Sequence, residues 1–280
     1  MKKLIFNYTI FLALFSISLF SCGPGQKAKQ KSEKSAVADV EEIWIQLFNG
    51  KDLNDWQVKF AGYELGYNLN NTFRVEDGLL RVSYEEWEDW GNQYGHLFYN
   101  GDFSHYRLRA EYRFVGNQVK GGPGWAYRNN GLMIHGQSAE SMEIDQDFPV
   151  SVEVQLLGGN GRDERSTANM CSPGTNIVMD GLLIEQHCVN SHSETFHGDQ
   201  WVTVEVEVRG GETIRHFVNG VEVMSYEKPQ LDPREPYYEK LLEEYGDIII
   251  TGGTISIQAE SHPTDFRKIE LLLLDNEKSE

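Results

Sequence analysis

Tyr106-Arg107-Leu108-Arg109-Ala110-Glu111-Tyr112-Arg113-Phe114 is the stretch that decides the fold. Apolar and charged residues alternate without a break, so a two-residue repeat puts Tyr106, Leu108, Ala110, Tyr112 and Phe114 on one face. A helix would spread the same charges around its whole circumference, so the segment is a half-buried β-strand. The same period runs through Trp201-Val202-Thr203-Val204-Glu205-Val206-Glu207-Val208. Gly210-Gly211 then turns the chain into a strand over 213–218, and Asn219-Gly220 makes a hairpin turn into 221–224. Further strands are predicted over 73–76 and 79–84 around Asp77-Gly78, and over 131–136, 151–157, 254–260 and 267–273. Only 237–245 reads as helix. Many short strands punctuated by glycine predict an all-β chain, an antiparallel sandwich or jelly roll.

The chain opens on Met1-Lys2-Lys3 and an apolar run over 4–20, a charged n-region and an h-region. The run ends Leu19-Phe20-Ser21-Cys22, which resembles the lipobox of bacterial lipoproteins. Residues 1–21 are therefore expected to be a signal peptide and Cys22 the lipid-bearing residue, with the protein held in the cell envelope. Its only contact with a membrane would be that anchor. Residues 23–35 carry no large apolar side chain and cannot offset the entropy of ordering, so 22–43 is read as a flexible tether. With no internal repeat and no second linker, 44–275 is expected to be one domain. Cys171 and Cys188 remain once Cys22 is assigned to lipid, and an oxidising compartment favours a bridge between them.

The formal charge is −18. Because the tether is basic, the domain is more acidic still, and such a surface repels phosphate backbones. That excludes nucleic acid as a partner and suits neutral ligands such as sugars.

Sandwich proteins that handle carbohydrate do so on the concave face of one sheet, so polar side chains inside strands are the candidates. In Val152-Glu153-Val154-Gln155-Leu156, Glu153 and Gln155 share a face, about 7 Å apart. His135 ends the apolar run 131–134, and His216 sits mid-strand before Asn219-Gly220. In Ile255-Ser256-Ile257-Gln258-Ala259-Glu260 the polar set faces away from the apolar one. Together these make a proton-transfer and hydroxyl-binding set. Trp56, Trp87, Trp90 and Trp125 could stack on sugar rings or lie in the core. Glu143-Ile144-Asp145-Gln146-Asp147 is similar to the Glu-x-Asp-x-Glu strand of sandwich endoglucanases, but it ends in Asp and runs into Phe148-Pro149, so it reads as an acidic loop. Phosphate-loop, dinucleotide, zinc and nucleophile-elbow signatures are absent from the sequence.

Leu47-Phe48-Asn49-Gly50-Lys51-Asp52-Leu53-Asn54-Asp55-Trp56 resembles the opening of the 3-keto-disaccharide hydrolase family. Asn130-Gly131, Glu153-Val154-Gln155-Leu156, Trp201, Val218-Asn219-Gly220, Ile257-Gln258 and Phe266-Arg267-Lys268-Ile269 continue it in order, spanning 44–274. The resemblance implies a concanavalin-like jelly roll and cleavage of glycosides oxidised at carbon 3. A ketone there acidifies the carbon 2 proton, so a modest base forms an enolate that expels the carbon 1 substituent, and water adds back. Glu153, His216 or His135 would be the base, while Asn130, Gln155 and Gln258 would orient hydroxyls. This chain has Asn129-Asn130-Gly131 where the family has Asn-Ser-Gly, and Ala259-Glu260-Ser261-His262 after Gln258 where a histidine comes sooner, so Glu260 and His262 compete for that role. His135, Glu153 and His216 could hold a divalent ion. A glycan-binding lipoprotein without catalysis and a two-carboxylate sandwich glycosidase are the competing readings, the latter weakened because Gln155 beside Glu153 cannot be an acid or base.

Overall fold

A computed structural model describes residues 42–275. Residues 1–21, expected to be a signal peptide, and Cys22, the expected acylation site, lie outside these residues. In chain order the strands are β1 (Ile45–Gln46), β2 (Trp56–Phe60), β3 (Phe73–Glu76), β4 (Leu79–Val82), β5 (Gly95–Phe103), β6 (His105–Phe114), β7 (Asn129–Gly136), β8 (Val152–Leu157) and β9 (Asn169–Cys171). There follow β10 (Thr175–Met179), β11 (Leu182–Ile184), β12 (Cys188–Val189), β13 (Val202–Arg209), β14 (Thr213–Val218), β15 (Val221–Leu231), the helix α1 (Tyr238–Tyr245), β16 (Gly253–Ala259) and β17 (Thr264–Leu273).

The strands form two antiparallel sheets, the larger in the order β11-β10-β15-β14-β13-β6-β17-β4-β3 and the smaller in the order β12-β9-β8-β7-β16-β5-β2. This is the expected jelly-roll sandwich. The alternation of β6 and β13 locks the register: Tyr106, Leu108, Ala110 and Tyr112 lie opposite Val208, Val206, Val204 and Val202, all buried on the inner face. Leu132, Ile134, Val152, Val154, Leu156, Ile255 and Ile257 of the smaller sheet meet them. Asn219 and Gly220 take φ of 49° and 82°, the left-handed pair that a two-residue hairpin requires. Strands therefore form where the period is clean. The sequence reading omitted β1, β2, β5 and β9 to β12: all but β5 are five residues or fewer, too short for a period of two to stand out, and the first half of β5 is buried on both faces.

Candidate active site on the outer face of the smaller sheet

Residues paired across neighbouring strands share a face. Glu153 lies opposite Met133, Met133 opposite Ser256, and Ser256 opposite Phe98. One step along, Asn169 lies opposite Gln155, Gln155 opposite Gly131, and His96 opposite Gln258. Asn129, opposite Leu157, belongs to the same face, and Glu260 follows β16 directly.

An outward sheet face is ordinarily wet, but this one is covered. Glu153 is 5 % exposed, Glu260 3 % and His96 1 %. Part of the cover is the segment after β7. Phe148 packs its ring against Tyr94 and His96 at 4.6 and 5.7 Å between centroids, and Ala139 and Met142 sit on Phe98. Lys59 pins this segment by donating from Nζ to the carbonyls of Phe60, Tyr63 and Ile144 at 2.9, 3.0 and 2.9 Å. The acidic stretch 143–147 belongs to this cover as a loop, as its proline neighbour implied.

Under the cover, Glu153 Oε1, Glu260 Oε2, Gln258 Oε1, Ser256 Oγ, His96 Nε2 and Asn129 Oδ1 are buried without a hydrogen-bond partner among the described residues. Buried polar atoms are nearly always paired, so six unpaired ones on one face mark a surface built to receive a hydroxyl-rich ligand. Gly131 makes room for the carboxyl: a Cβ there would stand 2.4 Å from Glu153 Oε1.

Electrostatics follow from the burial. Desolvation raises the Glu153 carboxyl well above the usual carboxylate range. Glu260 is raised by burial first and by the charge of Glu153 second, with Arg165 opposing. Burial thus biases both carboxyls towards their protonated forms. His96 is pushed down to about 3 by burial and by the Lys59 charge, so its imidazole is neutral. Such a site holds two carboxyls biased towards protonation and a neutral imidazole within water-poor walls.

Of the residues expected from sequence, the structure brings together Glu153, Gln155, Gln258 and Glu260. Gln155 accepts from Asn169 Nδ2 at 3.1 Å. Four others lie elsewhere. His216 projects from the inner face of the larger sheet, where its Nδ1 contacts the Ala168 carbonyl and its Nε2 the Tyr226 hydroxyl, both at 2.9 Å. It is a satisfied core histidine. His135 would share the Glu153 face by alternation, but β7 carries a bulge there, with His135 at φ 51°, and its Nε2 meets the Gly210 carbonyl at 2.9 Å. Asn130 also points inward. Its Nδ2 donates to the Gln258 carbonyl at 2.7 Å and its Oδ1 accepts from the Gly131 amide at 2.9 Å, so it ties β7 to β16 and its neighbour Asn129 faces the site. Ser261, at φ 82°, turns the chain after Glu260 and sends His262 between the rings of Phe114 and Tyr127.

The metal set His135, Glu153 and His216 is thus not assembled, and among the described residues no three His, Cys, Asp or Glu side chains converge as metal ligands. The objection to two carboxylates also falls, because Glu260 supplies the second from just past β16, 107 positions along the chain. Sequence reading missed Asn129, which alternation from Leu132 already placed on this face, and it missed His96, for which an apolar strand offered no marker. Cys171 lies opposite Glu153 in β9 and is bonded to Cys188 of β12. Trp56 and Trp90 are core, whereas Trp125 is 55 % exposed.

No protein of curated function matches the chain. Among solved structures, two candidate glycosyl hydrolases from Parabacteroides distasonis ATCC 8503 are similar: one at 18 % identity, covering 83 % of this chain and 94 % of that one with a TM-score of 0.47, the other at 16 %, covering 83 % and 100 % with a TM-score of 0.49. The exoplasmic/lumenal domain of VIP36, in a form bound to Ca2+ and mannose, is similar at 10 % identity over 81 % of this chain and 86 % of that one, with a TM-score of 0.46. The sequence profile of the 3-keto-alpha-glucoside-1,2-lyase-like domain matches residues 43–272, nearly the whole sandwich, so this carbohydrate-active chain belongs to that family.

Proposed function

We propose that the chain cleaves 3-keto-glycosides by elimination and rehydration on the outer face of the smaller sheet. The observation that supports this is the pair of buried carboxyls, Glu153 and Glu260, set among unpaired polar atoms under a water-excluding cover. One carboxylate takes the proton from carbon 2 of the sugar. The electron pair passes through the enolate to break the bond from carbon 1 to the leaving oxygen, which receives a proton from the other, protonated carboxyl. In the second half, water adds its hydroxyl to carbon 1 and a proton returns to carbon 2. Gln258, Ser256 and Asn129 orient the sugar hydroxyls, and the neutral His96 imidazole stands beside them as a hydrogen-bonding partner for the enolate oxygen.

The presence of Glu260 favours a second reading, direct hydrolysis by two carboxylates. Incubation with a glycoside and its 3-keto form in deuterated water separates the two. Cleavage of the 3-keto form alone, with deuterium at carbon 2 of the product, is the outcome expected. Cleavage of the unoxidised glycoside with the original hydrogen retained would replace elimination by displacement, and binding without cleavage would leave a glycan-binding protein. We also propose that the domain works in the cell envelope, tethered through Cys22.

A further inference from the structure

Tyr94 stands just ahead of β5 and continues its ladder. Gly95 lies opposite Ala259 on one side and Phe60 on the other, and the Ala61 amide donates to the Tyr94 carbonyl at 3.1 Å. One step further along, Tyr94 is therefore level with Glu260. The two-residue period gives Tyr94 and His96 the same face, about 7 Å apart. The Tyr94 ring is fixed from two directions: Phe148 of the cover packs at 4.6 Å between centroids, and Trp90 meets it edge-on at 5.1 Å. Its hydroxyl makes no hydrogen bond among the described residues; burial first, then the charges of Glu260 and Asp147, push it up to about 12. At neutral pH it keeps its proton and is a donor in the field of the Glu260 carboxyl.

We infer that Tyr94 touches the substrate, its hydroxyl donating to the oxygen on carbon 3 of the sugar as the second donor beside His96. The inference rests on the cleavage reading above and adds to it a residue that selects which sugars react. The Glu153 carboxyl lies over Gly131. Ser256 and Ile257 pair with Met133 and Leu132, so Gln258 stands level with Gly131, and His96 lies opposite Gln258 in turn. Two strand spacings, roughly 10 Å, thus separate Gly131 from His96. A pyranose whose carbon 2 meets Glu153 fills that gap, and its carbon 3 oxygen arrives at β5 between His96 and Tyr94. That oxygen is a ketone before the carbon 2 proton leaves and an enolate afterwards. Two fixed donors on one oxygen stabilise the charge as it develops. A sugar with no oxygen on carbon 3 would leave both donors unpaired.

Tyr94→Phe keeps the ring against Phe148 and Trp90 and removes only the hydroxyl, so it should melt level with wild type. Its kcat on methyl 3-keto-α-glucoside should fall roughly 10²- to 10³-fold, the loss expected for one donor to an oxyanion. Binding is read separately by calorimetric titration in the slow Glu153→Gln background, with methyl 3-keto-α-glucoside and methyl 3-deoxy-α-glucoside as probes. Adding Tyr94→Phe should weaken the keto probe about tenfold and leave the deoxy probe unchanged, a split that a merely structural role would not produce. Equal weakening of both probes, weakening of neither, or an undiminished kcat would overturn the assignment. Should wild type cleave no 3-keto-glycoside, the cleavage reading fails by itself. Tyr94 is then judged by titrating wild type and Tyr94→Phe with methyl α-glucoside and its 3-deoxy analogue. A loss confined to the probe with the carbon 3 hydroxyl upholds the contact, and any other result, an absence of binding included, removes it.

Discussion

Glu153 is asked to be charged in surroundings that disfavour charge, and that conflict has consequences for both activity and stability. Its folded pKa is raised by burial, so the protonated form suits the native state. Stability is fully present below the unfolded value near 4.5 and is lost as pH climbs towards the folded value. Glu153→Gln removes that loss. The variant should melt above wild type at pH 8 and level with it at pH 4.5, while cleaving roughly 10²- to 10⁴-fold more slowly. Equal melting at both pH values would refute the burial argument. Because Glu260 is raised as well, the acid limb of the pH–rate profile should lie above the ordinary carboxylate value of 4.5, and the rate should fall again once both groups are ionised. The sign reverses at His216, which burial holds down to about 4. Its neutral form belongs to the fold, so its contribution is present above the unfolded value of 6.5 and is lost as pH falls towards 4. His216→Ala should cost roughly 2–4 kcal/mol at pH 7, from the cavity and from the orphaned Ala168 carbonyl and Tyr226 hydroxyl. Turnover per folded molecule should be undiminished, as urea melts paired with active-site titration would establish.

At the scale of the element, β7 does the most to shape the site, through what it omits. Gly131 has no Cβ where the Glu153 side chain crosses, and the bulge at His135 takes an imidazole off the working face. Gly131→Ala should push the carboxyl aside. The obstructing atoms are the far end of a flexible side chain, and Gly131 does not adopt a left-handed φ, so the strand should accept alanine within about 1 kcal/mol. Cleavage should nonetheless fall about 10²-fold, since an error near 1 Å at a reacting group costs that much. A variant with full activity would show that the crossing carboxyl is not the working base. On the far edge, the Cys171–Cys188 bond fastens the two-residue β12 to β9, next to the strand that carries Glu153.

For the molecule as a whole, the two sheets divide the work. The outer face of the larger sheet is a ladder of paired charges: Arg109 reaches Glu205 and Glu270 at 2.8 and 3.0 Å, and Arg113 reaches Asp265 at 2.8 Å. Trp201 lies between Arg113 and Arg267, each 4.6 Å from its ring. Charges matched in this way leave that face little appetite for a ligand, whereas the smaller sheet keeps its polar atoms unpaired under cover. The proposed anchor at Cys22 would hold this unit at a membrane. Cys22→Ser should move the mature chain from the membrane to the soluble fraction on cell fractionation, and an unchanged distribution would end the lipoprotein reading.

Period-two patterning in β6, β13, β8 and β16 was legible from the sequence because each of these strands has one apolar and one polar face, and the side-chain direction along a strand is fixed by the backbone. That patterning determined the all-β class, the inner face and the outward direction of Glu153, Gln155, Gln258 and Glu260. It applies to one strand at a time. Which strands become neighbours, and in what register, depends on packing between segments far apart in the chain; only the folded sandwich sets β16 beside β7 and joins Glu260 to Glu153. A bulge breaks the period by one residue, so the inward turn of His135 lay beyond any alternation rule. The inward turn of His216 was different in kind: alternation placed it with Ile214 and Val218, and only the hydrogen bonds to Ala168 and Tyr226 revealed a polar residue satisfied within the core.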